Sequence, residues 1–173
     1  MLPLAVQNKN ILRLAAAQAL AGANSVVFYA TGAIVGNAIA PSPSLATLPI
    51  TLFVLGMAAS ILLFGALARK RGRKAAFMAG TGAGVVTGLA AALAVVLGSF
   101  LLFCFAAMLG GAYAAVALSF RFAATDGVAP ERRARALSLV MGGGVAAGII
   151  GPMLVTGTMH LWPAHIFAVT FLA

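Results

Sequence analysis

The sequence predicts an all-α, polytopic membrane protein, and three observations carry that prediction. Its 173 residues are 63% hydrophobic and 8% charged, with a mean hydropathy of +1.11. That leaves too little polar surface to clothe a water-soluble globule. Crossing the hydrocarbon core takes about 20 mostly apolar residues, and the chain offers five such stretches and a shorter sixth, at about 11–35, 45–68, 75–97, 100–124, 136–157 and 160–173. All eleven Lys and Arg residues fall at the start of the first stretch, between the second and third, or from the end of the fourth to the start of the fifth. The gaps near 41–44, 98–99 and 158–162 contain none. This alternation is the positive-inside pattern, which puts the amino end and both basic links in the cytoplasm.

The formal charge of +9 and pI near 11.6 would suit a nucleic-acid binder. Here the cations cap apolar stretches and no soluble domain presents them, so membrane lipids are the expected partner and nucleic acid is not. Attraction to anionic headgroups is worth about 1 kcal/mol per basic residue near the surface.

Taken in order, the first stretch follows Lys9 and Arg13 and contains Ala21-Gly22-Ala23, which looks like a signal-peptidase site. A signal h-region runs about 7–15 residues, whereas this apolar run continues well past Ala23, so it reads as a retained span. The second stretch ends in Arg69, Lys70, Arg71, Arg73 and Lys74. The third carries Gly80, Gly84 and Gly88 at four-residue intervals, which lets a neighbouring backbone approach. The fourth holds Cys104, a thiol with no partner in the chain. The fifth repeats the small-residue pattern in Gly143, Ala147 and Gly151, with Gly144 and Gly148 on the adjoining stripe. These glycines serve packing, or they permit bending, a reading that Pro152 favours by removing a backbone donor. The sixth stretch begins with His160, Trp162 and His165 and stops at Ala173, as a helix interrupted before a full crossing.

Residues 65–74 read Gly-Ala-Leu-Ala-Arg-Lys-Arg-Gly-Arg-Lys. This resembles the signature loop of the major facilitator superfamily, Gly-x-Leu-Ala-Asp-Arg-x-Gly-Arg-Lys/Arg, matching at Gly65, Leu67, Ala68, Gly72, Arg73 and Lys74. The loop also lies where that family keeps it, between the second and third spans. A second resemblance runs through Arg121, Asp126, Pro130, Glu131 and Arg132 to Gly151-Pro152. The resemblance implies a six-helix bundle like one half of a major facilitator fold, with the sixth helix incomplete and the C-terminal half, or a second subunit, as its partner. It further implies a secondary transporter of a small solute.

Three departures stand out. Arg69 replaces the signature acid, Ala106 and Ala107 stand where many proton-coupled exporters keep an Arg before the glycines Gly110 and Gly111, and Val155 and Thr156 replace a Gly pair. Arg73 keeps the family's basic position, and Asp126 is placed to pair with it. At about 4 Å and an effective dielectric near 20, such a pair attracts by about 4 kcal/mol before desolvation and entropy are subtracted. Gly65, Arg73 and Asp126 are thus the expected gating residues.

Polar groups within spans are costly and face a protein interior or a wet path. Asp126 and Glu131, the only acids, both lie outside the spans, so no intramembrane carboxylate is offered for proton coupling. Gln18, Gly22, Ser25 and Tyr29 share one face of the first helix, which in the family lines the central path. Gln18, Ser25 and Tyr29 are the expected substrate contacts, with Tyr113 as a fourth; a helix-to-helix hydrogen bond is the competing role for Gln18, and interior packing for Tyr113. Asn24, on another face, is expected to hydrogen-bond between helices. Arg121 either snorkels to the interface or attracts an anion at the inner end of the path. Trp162 suits an interfacial belt. An intramembrane enzyme would need a nucleophile with a base, or paired acids, and the spans show neither. No metal or cofactor signature is present, so catalytic residues, metal and cofactor are all expected to be absent. A half-size membrane subunit or assembly protein that pairs with another chain, or a truncated remnant, is the alternative to a carrier.

Overall fold

The computed structural model describes residues 4–126 and 128–173, with side chains from Gln7 onward apart from Gly127. The chain forms a helical bundle: α1 Leu4–Ile39, α2 Leu48–Arg71, α3 Arg73–Leu97, α4 Phe100–Leu118, α5 Phe120–Thr125, α6 Pro130–Thr158 and α7 Ala168–Leu172, with one 3-10 turn at Pro43–Leu45. Five segments are long and apolar enough to cross a membrane, α4 and α5 counting together as one. It is a helical membrane protein, with no strand among the described residues.

Helix ends depart from the hydropathy boundaries for local reasons. The 36 residues of α1 span about 54 Å, well beyond a hydrocarbon core of about 30 Å. Hydropathy marks where a helix leaves lipid, whereas its hydrogen-bond ladder continues through Arg13 and Lys9. Ala40, just before Pro41, ends α1, because a residue preceding proline is biased away from helix.

The basic link is barely a loop. Arg69, Lys70 and Arg71 form the last turn of α2, and α3 starts at Arg73. Gly72, at φ +84°, is the single residue between them, a conformation that costs glycine nothing. Cations at a helix C-terminus complement its dipole, while Arg73 and Lys74 in the first turn of α3 oppose it. Asp126 offsets that opposition through an ion pair with Arg73.

The α3–α4 corner uses local capping. Gly98 at φ +61° ends α3, the Ser99 N–H donates to the Ala94 carbonyl at 2.9 Å, and the Ser99 hydroxyl accepts from the Leu102 N–H at 3.4 Å.

Two predicted helices are interrupted. The stretch 100–124 bends at Ser119, whose hydroxyl donates to the Val116 carbonyl at 2.6 Å; such back-bonding bends helices. The stretch 160–173 is not a continuous helix. Residues 159–167 form turns around Trp162-Pro163, Phe167 takes φ +72°, and only Ala168–Leu172 is helical. Pro163 lacks the N–H that helix continuation needs.

Packing is organised by close backbone approach. α4 is central, with α1, α2 and α3 against it, and α6 lies along α1. On α6 the buried positions are Ala136 and Val140 followed by the predicted Gly143, Ala147 and Gly151. A Cβ at Gly143 would strike the Ala15 carbonyl, one at Gly22 would lie 2.7 Å from the Ala147 Cβ, and one at Gly151 would lie 2.6 Å from Val26. The adjoining Gly144 and Gly148 meet nothing. The α3 stripe touches two elements, α4 through Val116 and Tyr113 opposite Gly80 and Gly84, and α7 through the Phe171 carbonyl opposite Gly88. Away from the basic end, Phe28, Phe53, Phe103 and Phe171 form one aromatic cluster with centroids 5.2–6.1 Å apart. Such pairs contribute about 0.5–1.5 kcal/mol each beyond area burial.

Candidate functional site

The polar stripe of α1 lies between α6 and α2. Gly22 is consumed by contact with Ala147 on α6, and Tyr29 sits edge-on to Phe53 of α2, 5.3 Å between centroids. Tyr29 is 48% exposed; Gln18 and Ser25 are half-buried. Hydrogen-bonding groups and an aromatic ring are therefore available along one open side of the bundle.

Tyr113 does not join them. It lines a cavity of about 410 Å³ between α1, α3, α4 and α7, together with Asn24, Thr81 and Thr170. At about 100° per residue, Asn24 is turned well away from Gln18, Ser25 and Tyr29. The hydrogen bond expected of Asn24 is not made by its carbonyl oxygen, which is buried without a partner. Thr170 accepts a hydrogen bond from Thr158 at 2.9 Å, tying α7 back to α6 beside this cavity. The four expected substrate contacts thus divide between two places, and Asn24 belongs with Tyr113. The signal for Asn24 was faint: a lone amide flanked by the apolar cavity residues Leu20, Ala23 and Val27.

At the basic end, Arg73 Nη2 lies 2.5 Å from Asp126 Oδ2, with the side chains 44% and 58% exposed. The pair joins the start of α3 to the end of α5. Gly65 is roomy: an added Cβ would meet only the Arg69 guanidinium, at 3.9 Å. Nearby, Arg132 donates to the Asn8 side-chain oxygen at 2.8 Å, linking the starts of α6 and α1. The Pro130–Arg132 segment, which resembles a family loop, is the first turn of α6. Glu131 there complements the helix dipole. No group of three or more His, Cys, Asp or Glu that could hold a metal is present among the described residues.

A bundle of apolar spans packed through glycine seams, with a one-residue glycine link flanked by basic residues between the second and third, has the architecture of a membrane transporter domain. The chain belongs to the Major Facilitator Superfamily, whose family model matches residues 14–173. Among curated relatives, it is 40% identical over 165 residues to the riboflavin transporter RfnT of Brucella anthropi, covering 95% of this chain and 42% of that protein. Two MFS-type transporters of Bacillus subtilis of uncharacterised activity are also similar: YdeG at 30% over 80% of this chain and 32% of its own length, and YddS at 29% over 85% and 34%. The chain thus spans about two fifths or less of the length of these relatives. No solved structure gives a significant match.

Proposed function

We propose that this chain is the N-terminal bundle of a secondary transporter that carries riboflavin, or a similarly planar and amphipathic solute, across the bacterial inner membrane. The 40% identity over 95% of the chain to a riboflavin transporter is the observation that carries this reading. In it, the basic end faces the cytoplasm and the bundle rocks against a second six-helix bundle, so that a midplane site opens to each side in turn. Gln18, Ser25 and Tyr29 line the path; Tyr29 supplies a ring for stacking, and the amide and hydroxyl bond the solute's polar edge. Exposed Val145, Ile149 and Met153 on α6, with Gly144 and Gly148 next to them in sequence, form the face that meets the second bundle. Arg73 and Asp126 then form a state-dependent latch.

The test is labelled riboflavin uptake by a riboflavin-requiring bacterium that lacks its own carrier and expresses the complete open reading frame encoding this chain. Uptake above vector, competed by unlabelled riboflavin, is expected. Membrane-inserted protein with no uptake above vector sinks the substrate assignment.

In that background Gln18→Ala should raise KM about three- to thirtyfold while expression stays constant, in line with about 0.6–2 kcal/mol for one hydrogen bond in a membrane interior. An unchanged KM removes Gln18 from the path. Orientation is checked by cysteine labelling. A membrane-impermeant maleimide added outside intact cells should modify Ser42→Cys and miss Lys70→Cys. The reverse pattern inverts the topology.

A further inference from the structure

Beneath the basic hinge, between α2, α3 and α4–α5, is a pocket of about 350 Å³ whose lining includes none of Gln18, Ser25, Tyr29 and Tyr113. Its walls are Ile61, Phe64, Phe77 and Val116, and its mouth holds Arg73 and Arg121. Along α2 the pocket reaches from Ala68 at the mouth to Ile61, a depth of about 10 Å. Phe77 is held edge-on against Phe120 at 5.0 Å, so one wall is rigid.

The two arginines differ in their partners. Arg73 is satisfied by Asp126. Arg121 has no ion-pair partner among the described residues. Its guanidinium carbon sits 5.1 Å from the Phe122 ring centre, and its Nε is buried with no hydrogen-bond acceptor. A snorkelling arginine reaches water with its donors free. Arg121 instead withdraws one donor from water and leaves it unanswered, which is costly unless an anion supplies the acceptor.

We propose that this pocket binds an anionic phospholipid, its phosphate accepting hydrogen bonds from Arg121 and one acyl chain lying in the slot between Phe64 and Phe77. Charge complementarity selects this occupant. Arg69, Lys70, Arg71 and Lys74 crowd the same hinge, and the nearby Asp126 is already spent on Arg73. A zwitterionic headgroup offers Arg121 a phosphate but brings its own cation among these basic side chains, and a purely apolar occupant leaves Arg121 unpaired. Because lipid tails are as apolar as the walls, the slot adds shape and little driving force. Selectivity therefore resides in the headgroup.

The experiment uses the purified full-length protein, delipidated in detergent and titrated with phosphatidylglycerol, phosphatidylcholine or inorganic phosphate, with bound lipid counted by native mass spectrometry. Phosphatidylglycerol should be retained over phosphatidylcholine, and millimolar inorganic phosphate should not displace it. Arg121→Gln should weaken retention about tenfold or more, as expected for a lost charge-assisted hydrogen bond. Lys9→Gln, at an exposed position on α1 outside the pocket, should change it less than twofold. Ala68→Leu keeps every charge while filling the mouth; it should also weaken retention, and it carries the test if Arg121→Gln fails to fold. Equal retention of the two lipids, equal losses in the Lys9 and Arg121 variants, displacement by inorganic phosphate, or full retention in Ala68→Leu each overturns the proposal.

Discussion

Gly111→Ala should abolish accumulation of folded protein, whereas Gly82→Ala should leave it intact. The two substitutions add the same methyl group to helices. At Gly111 that methyl would collide with the Phe53 carbonyl oxygen and lie 2.6 Å from the Met57 amide nitrogen, both backbone atoms of α2. At Gly82 it would meet nothing within 4 Å. Overpacking typically costs about 1–3 kcal/mol when side chains can shift. Here α2 itself must move, and the same seam is close again at Gly56, where a Cβ would strike the Met108 carbonyl. Separating α2 from α4 also opens the aromatic cluster, since Phe53 and Phe103 come from these two helices. A cost of several kcal/mol is comparable to the whole stability of a domain, about 5–15 kcal/mol. Fluorescence-detected size exclusion of a fusion protein, followed by a melting curve in detergent, reads the difference. Equal melting of the two variants would show that α2 and α4 are further apart than the geometry has them.

How far these contacts were legible varied with their physical origin. Apolar length and the distribution of Lys and Arg reveal membrane spans because the bilayer imposes both. The Gly143-Ala147-Gly151 stripe was readable because four-residue periodicity survives in sequence, although its partner α1 was not. Gly111 was noticed only as part of a departure from a family motif; its contact with Phe53 is nonlocal. The bend at Ser119 escaped because a hydroxyl that bonds its own helix leaves hydropathy unchanged. The turns of 159–167 were masked by apolar neighbours, even though Pro163 stood in the stretch.

The site was harder than the fold. The spacing of Gln18, Ser25 and Tyr29 placed them on one face, since helical phase is a local property. Which faces become cavities depends on neighbours, and that separated Tyr113 from the stripe and gave it Asn24 instead. The Arg73–Asp126 pair was foreseeable because each residue sits at a helix end next to the hinge. Arg121 was ambiguous in sequence because snorkelling and anion binding require the same residue at the same depth. Only the surroundings of its Nε distinguish them.

Asp126→Arg should leave the protein inserted and folded yet lower its transport rate about tenfold, and the double exchange Asp126→Arg with Arg73→Asp should recover most of it. With side chains 44% and 58% exposed, the native pair is screened and adds only about 0–1 kcal/mol to stability, so its loss does not unfold the bundle. Reversal does more than remove the attraction. It sets two guanidinium groups against each other where α3 begins and α5 ends, with repulsion near 4 kcal/mol at about 4 Å and an effective dielectric of about 20, before screening and side-chain movement reduce it. A residue of about 1.4 kcal/mol is enough for a tenfold population shift. If the latch forms in one transport state and opens in the other, that shift falls on cycling and not on the Gln18-Ser25-Tyr29 stripe, which lies on a different helix. Substrate affinity measured by binding to the purified protein should therefore change less than twofold while the uptake rate falls. Failure of the double exchange to outperform the single reversal, or a single reversal as fast as the parent, would leave Arg73 and Asp126 as an ordinary surface pair with no part in gating.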